Sequence, residues 1–242
     1  MTLGPPVERE LARMVERYAL APPAGERLDA LLRVLQADRH APTTVRDPAE
    51  AVHVHVADAL VALELDEVRA AGRIADLGAG AGFPGLPLAV ALPAAEVALV
   101  ESVARKCAFI RAAAETAGLT NVEVVPERAE SWQAGLGTCD VVTARAVAPL
   151  AVLAEYAAPL LREGGALVAW KGRRDEREER DAAAAAAELG MALEDVRPVH
   201  PYPGVEHRHL TVLRKLAPTP ARFPRRPGMA RKRPLGANAN AR

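Results

Sequence analysis

Arg73-Ile-Ala-Asp-Leu-Gly-Ala-Gly-Ala-Gly-Phe-Pro-Gly-Leu-Pro-Leu88 decides how the rest of the chain is read. It opens with a short apolar run (Ile74, Ala75, Leu77) that reads as a buried strand. It then crosses Gly78, Gly80, Gly82 and Gly85 and enters an Ala/Leu-rich run, Leu86 to Leu92, suited to a helix. Glycines between a strand and a helix let the backbone turn tightly and approach a ligand with no Cβ in the way. The N–H groups at the helix start then favour a negatively charged group on that ligand. Pro84 suits an early helical position, where its missing N–H costs nothing.

Two nucleotide ligands compete for this loop. Gly80-Ala-Gly-Phe-Pro-Gly85 fits the dinucleotide pattern G-x-G-x-x-G, with Glu101 about twenty residues on as a ribose-binding acid. Asp76 to Gly82 equally fits Asp-x-Gly-x-Gly-x-Gly, the loop of S-adenosylmethionine methyltransferases. In that reading Gly78 and Gly80 lie in the segment that holds the methionine carboxylate and ribose. A tight turn without a ligand is the third possibility. The glycines alone do not choose.

The 242 residues can bury one large core, or one core with a small extension. Half of them are hydrophobic, but aromatics make up only 3%, so packing relies on Leu, Val and Ala. Cys107 and Cys139 are the only cysteines, which argues against a disulfide framework and suits a cytoplasmic protein. Neither a signal peptide nor a membrane span is expected. The net charge of zero conceals an asymmetry. Seven Lys/Arg and no Asp/Glu lie from Ala217 onward, leaving residues 1–216 at −7. One end of the chain is therefore expected to touch an anionic partner.

Val7, Leu11, Met14, Val15 and Tyr18 have helical spacing, as do Leu28, Leu31, Leu32 and Leu35. Asp47-Pro-Ala-Glu50 reads as a helix start that turns Val52, Val56, Leu60 and Leu63 inward. Residues 1–70 are thus expected to form a small helical subdomain. From residue 71 to 216 strands and helices alternate, which implies a mostly parallel sheet. The strands are read at 73–77, 96–101, 122–125, 140–144 and 166–170, followed by a closing pair at 194–200 and 209–215. Helices are expected at 102–117, around 149–161 up to a stop at Gly164-Gly165, and at 173–188. Five alternating strands and a final pair favour a seven-stranded, Rossmann-like methyltransferase sheet over a dehydrogenase. Tyr156 is followed four residues on by Leu160, so the Tyr-x-x-x-Lys pair of short-chain dehydrogenases is missing.

Glu101, at the carboxyl end of the second strand, can accept both ribose hydroxyls of S-adenosylmethionine; a plain strand-end acid is the alternative. Ala129-Glu130 follow the third strand, where adenine would lie against the sheet. Arg145 ends the fourth strand at the crevice. It could clamp an RNA phosphate or a cofactor carboxylate, or form a structural salt bridge. Lys171 ends the fifth strand on the same side and is read as an RNA contact. No Asn/Asp-Pro-Pro-aromatic tetrad for amine methylation follows the fourth strand, and Cys139 sits at its wrong end to attack a pyrimidine. A ring nitrogen such as guanine N7 needs neither device, only in-line placement. His53/His55 and His207/His209 read as surface histidines, not metal ligands. Residues 217–242 alternate basic residues with Pro and Gly. They read as an extended tail whose Arg225, Arg226, Arg231, Lys232 and Arg233 meet RNA phosphates. Its removal after Leu216 is expected to spare the sheet and cofactor affinity.

Taken together, these stretches resemble the bacterial 16S ribosomal RNA guanine-N7 methyltransferase family, also called glucose-inhibited division protein B. The resemblance runs through most of the chain. It rests chiefly on Asp76-Leu-Gly-Ala-Gly-Ala-Gly-Phe-Pro-Gly-Leu-Pro-Leu88 and Glu101-Ser-Val-Ala-Arg-Lys-Cys-Ala-Phe-Ile110. Thr143-Ala-Arg-Ala146, Trp170-Lys-Gly172 and Phe223 to Gly236 agree with it. It implies S-adenosylmethionine as cofactor, small-subunit ribosomal RNA as partner, and Gly78, Phe83, Ala129, Glu130 and Arg145 as cofactor contacts. A monomer is expected. Departures are Ala41-Pro-Thr43 where the family carries Asn-Leu-Thr, Asp58-Ala-Leu60 where it carries Asp-Ser-Leu, and Ala230 where it carries proline. A small-molecule methyltransferase and a non-catalytic RNA-binding protein are the alternatives.

Overall fold

The computed structural model describes residues 3–45 and 47–236. Seven strands form one sheet in the order β3-β2-β1-β4-β5-β7-β6. They are β1 (Arg73–Leu77), β2 (Glu96–Val100), β3 (Val122–Val125), β4 (Cys139–Arg145), β5 (Leu161–Lys171), β6 (Met191–Pro198) and β7 (His209–Lys215). The first five run parallel, and β7 inserts antiparallel between β5 and β6. The order reverses at β1, which lies between β2 and β4. That reversal opens a crevice beyond the carboxyl ends of the strands.

Side chains alternate across the pleat, so one strand feeds two cores. Ile74, Val97, Leu99, Val141 and Val168 face one layer; Ala75, Leu77, Val100, Val142 and Leu167 face the other. The first layer holds α1 (Pro5–Arg17), α2 (Ala24–Ala37), α6 (Gly85–Ala91) and α7 (Ala104–Thr116). The second holds α8 (Leu150–Ala157) and α9 (Glu176–Glu188). Both faces of the central strands are covered, which is why these strands are apolar almost throughout.

The helical subdomain follows the expected apolar spacing, with Val7, Leu11, Leu28, Leu31, Leu32 and Leu35 buried. Asp47 caps α3 (Pro48–Ala51), its Oδ1 accepting from the Glu50 N–H at 2.9 Å. The helix then widens into a π-helical stretch, Val52–Ala57. It continues through α4 (Asp58–Leu60), a 3₁₀ turn and α5 (Asp66–Arg69). Such widened turns shift the helical register and gather at functional sites.

Two expectations need correction. β5 begins at Leu161, and Gly164-Gly165 lie inside it beside an irregular register with β4. A Cβ on Gly165 would come within 2.8 Å of the Asp140 carbonyl oxygen, so glycine there marks a close strand approach, not a helix stop. The second correction concerns the tail. As far as Gly236 it is a packed strap, with Phe223 and Ala230 buried and a short helix α10 (Met229–Lys232). Lys215 and Thr219 anchor its start on α8, donating to the Ala158 carbonyl at 3.0 and 2.9 Å. Residues 237–242 lie outside the described part. Among the described residues no helix is long and apolar enough to cross a membrane.

Candidate functional site

A cavity of about 440 Å³ opens where β1, β2 and β4 end. Gly78, Val100, Glu101, Val103, Lys106, Ala129, Glu130, Arg145, Val147, Tyr156 and Arg231 line it, among others. Its size lies within the range of small-ligand sites. Val103 leaves 45% of its surface exposed there, an apolar face that a bound nucleoside would cover.

Beneath the glycine loop, Asp76 ties three elements together. Its Oδ2 accepts from the Gly85 N–H at 3.0 Å, and its Oδ1 accepts from the Thr143 hydroxyl at 3.0 Å. Burial pushes its carboxyl up to about 7, the two hydrogen bonds opposing only part of that rise. At Gly78 φ is +66°, and a Cβ would lie 2.8 Å from a Val147 methyl carbon. Only glycine brings this backbone to the cavity without displacing Val147.

Glu101 is 5% exposed at the end of β2. Its Oε2 accepts from the Gly80 N–H at 3.1 Å and its Oε1 from the Val103 N–H at 2.9 Å. A carboxylate has about four acceptor positions, so about two remain for a ligand's hydroxyl groups. Lys106 Nζ stands 3.7 Å from Oε2. Lys106 also borders an adjacent groove of about 520 Å³, whose lining includes Val34, Pro42, Arg105 and Phe109. Gly80 does not line the cavity; its N–H orients Glu101 instead.

Arg145 reaches the cavity wall, but its guanidinium is engaged. Nη1 donates to Asp58 Oδ2 at 2.9 Å and to the Val54 carbonyl at 2.8 Å. Asp58 is fully buried, and its Oδ1 lies 2.8 Å from Arg208 Nε, an ion pair short of hydrogen-bond geometry. Trp170 Nε1 donates to the Asp58 carbonyl at 2.6 Å. Thus Arg145 acts in a seam between helix and sheet.

His55 stands against that seam and corrects the expectation of a surface histidine. It is 7% exposed, and its ring stacks on Phe83 at 4.6 Å between centroids. Arg145 Nη2 lies 3.4 Å from His55 Nδ1, and Thr43 Oγ1 lies 2.9 Å from Nε2. Since arginine only donates, Nδ1 accepts and the proton sits on Nε2, directed at Thr43. Burial, reinforced by the Arg145 charge, lowers the His55 pKa to about 4, so the ring is neutral. Phe83 lies outside the cavity and fixes the loop to this histidine. Sequence spacing gave no signal for either contact, because both join distant segments.

The basic residues divide into three groups. Lys171 Nζ donates to Glu178 Oε1 at 2.6 Å, away from the cavity lining. Arg225 forms a two-point pair with Glu155, which is 2% exposed, so this arginine anchors the strap. Arg231 lines the cavity and donates from Nη2 to the Val147 carbonyl at 2.7 Å. Arg226, Lys232 and Arg233 are exposed on the strap. Glu130, expected beside adenine, does line the cavity, while its Oε1 accepts from the Gly228 N–H at 2.9 Å. Ala146, at the turn after β4, holds φ at +56°, a strained conformation of the kind that collects at functional sites. Among the described residues no group of three or more His, Cys, Asp or Glu could hold a metal.

The fold is shared with solved methyltransferases. A predicted O-methyltransferase of Agrobacterium tumefaciens, Atu636, superposes with a TM-score of 0.51 at 26% identity, covering 65% of this chain and 79% of its own. The 1,6-didemethyltoxoflavin N1-methyltransferase of Burkholderia thailandensis gives 0.50 at 17% identity, over 66% and 77%. In sequence, the ribosomal RNA small subunit methyltransferase G of Rubrobacter xylanophilus is 41% identical over 238 residues, covering 96% of this chain and 87% of the relative. That of Chloroflexus aggregans is 45% identical over 201 residues, covering 82% and 84%. The family profile, rRNA small subunit methyltransferase G, matches residues 27–210. With that match running from α2 through the glycine loop into β7, the chain belongs to the rRNA small subunit methyltransferase G family.

Proposed function

We propose that this rRNA small subunit methyltransferase transfers a methyl group from S-adenosylmethionine to N7 of a guanine in 16S ribosomal RNA. The observation that carries the reading is the cavity at the switch point, with the Gly78 backbone on one side and the buried Glu101 carboxylate on the other. S-adenosylmethionine supplies an electrophilic methyl group on a sulfonium. Glu101, already held by two backbone N–H groups, receives the ribose hydroxyls in its remaining acceptor positions. Val100, Val103 and Ala129 supply the apolar surface for adenine, and Gly78 gives its backbone to the methionine end.

Guanine N7 carries a lone pair and no proton, so this reaction asks for no general base and depends on alignment. Arg145, fixed by Asp58, and Phe83, fixed by His55, hold the crevice rigid without being consumed. Arg105 and Lys106, beside the adjacent groove, offer positive charge to substrate phosphates. The protein would act on RNA in the cytoplasm, as a monomer. Nucleoside analysis of 16S ribosomal RNA from cells with and without this protein tests the reading. Loss of one equivalent of 7-methylguanosine with the protein is expected. Unchanged 7-methylguanosine would reject guanine N7 as the acceptor.

A further inference from the structure

The strap bears on the cofactor in a way that its composition conceals. Gly228 donates its N–H to Glu130 Oε1 at 2.9 Å, from a backbone at φ +83°. Three residues later, Arg231 donates to the Val147 carbonyl at 2.7 Å and borders the cavity beside Tyr156. Burial pushes the Tyr156 hydroxyl up, and the neighbouring Arg231 opposes that rise. The Val147 side chain is the one that would meet any Cβ on Gly78. Strap, post-β4 turn and glycine loop therefore form one chain of contacts. Arg231 is the only strap residue among the described cavity lining.

The anchors of this arrangement lie behind it. Phe223 and Ala230 pack into the core shared with α8, and Arg225 pairs with the buried Glu155. Arg225 Nη2 also donates to the Arg233 carbonyl at 2.9 Å, closing the strap on itself. Farther on, a Cβ at Gly236 would come within 2.3 Å of the Asp181 carbonyl oxygen, so the strap lies directly on α9 there.

We propose that the strap is a wall of the cofactor site: Arg231 presents its guanidinium to the nucleoside end of the bound methyl donor, and strap docking and cofactor binding strengthen each other. The proposal rests on the methyl-donor reading of this cavity. A guanidinium combines a flat face, which stacks on an aromatic ring, with a charge that lysine cannot present in the same plane. Coupling between the two events is reciprocal: whatever the strap adds to cofactor affinity, the cofactor returns as strap protection. The exposed Arg226, Lys232 and Arg233 ride on the same segment, so RNA phosphates that hold the strap down would also tighten the cofactor site.

The test uses the full chain and S-adenosylhomocysteine, the demethylated product, as probe. R231A keeps Phe223, Ala230 and the Arg225–Glu155 pair, so it should fold. Calorimetry is expected to show affinity weakened by about tenfold, the size of one charged or stacked contact, with R231K restoring only part of it. Hydrogen exchange across residues 223–233 should slow when S-adenosylhomocysteine binds the native protein. At the same ligand concentration that response should be absent in Glu101→Ala, which removes the carboxylate read as the ribose acceptor and touches none of the strap's contacts. Equal affinity for R231A and the native chain, or strap exchange indifferent to ligand, overturns the proposal alone. Failure of the native chain to bind S-adenosylhomocysteine removes the methyl-donor reading and this inference together.

Discussion

The helical layer at the start of the chain packs behind Arg145 of the cavity, whereas the strap at its other end lines the cavity through Arg231. Each uses a buried carboxylate facing an arginine: Asp58 with Arg145 on the helical side, Glu155 with Arg225 on the strap side. What surrounds these pairs differs. The helical layer that carries Asp58 buries Leu28, Leu31, Leu32, Leu60, Leu63 and Leu65, each at most 2% exposed. Fully burying such a side chain contributes about 1.5–3 kcal/mol. The strap adds Phe223 and Ala230 as its buried apolar residues, and depends on polar anchors for the rest. The helical layer is thus inseparable from the fold, while the strap can open locally. Segments with few buried apolar contacts occupy the low end of the local stability scale.

Asp58→Ala should have the largest effect. It strands Arg145 and Arg208 against a cavity in a seam that cannot open, at a cost of about 3–5 kcal/mol in denaturant unfolding. A loss below about 1 kcal/mol would show that apolar packing alone holds the seam. Arg225→Ala removes the corresponding arginine from the strap pair and should cost less globally, because the strap can lift and let water reach Glu155. Faster proteolysis within residues 217–236, with a nearly unchanged unfolding midpoint, is the expected signature. A global loss as large as that of Asp58→Ala would make the two pairs equivalent.

Replacing Arg226, Lys232 and Arg233 together with alanine sharpens the strap's assignment with a smaller effect. All three are exposed, so folding should be spared. If each neutralises one phosphate of single-stranded RNA, the slope of log affinity against log salt should become shallower by about 2. An unchanged slope would place RNA elsewhere on the surface. The last effect concerns pH. Asp76, raised to about 7, contributes stability that is present at low pH and lost as pH rises from about 4 towards 7. His55, lowered to about 4, contributes stability present above 6.5 and lost as pH falls through 4. The two slopes oppose each other. Asp76→Asn removes the first, so its stability should climb with pH more steeply than the native protein's between about 4 and 6.5; parallel curves would contradict this assignment.

Local signals carried most of the fold. The strand from Ile74 to Leu77, the glycines after it and the alternation that follows are each readable within a dozen residues. The same was true of Asp47-Pro48 as a helix start. Contacts between distant segments were not readable. His55 and Asp58 take their roles from Arg145, some ninety residues on, and a π-helical stretch sets the register that delivers them. The strap misled for a different reason. Phe223 and Ala230 stand seven residues apart among Pro, Gly and Arg, with no apolar period to mark a packed segment. Gly164-Gly165 read as a helix stop because a bulge and a stop use the same residue.

The direction of β7 has a consequence in time. Because β7 runs against β5, the chain leaves the sheet beside Met191, at the end opposite the cavity. It must then return past α8 before Arg231 reaches Val147. During synthesis, every strand and the whole glycine loop emerge before the residues that would complete the cofactor wall. Domains fold largely as units as they leave the ribosome. A chain with its sheet assembled and its strap undocked would hold a methyl-donor pocket still open on one side.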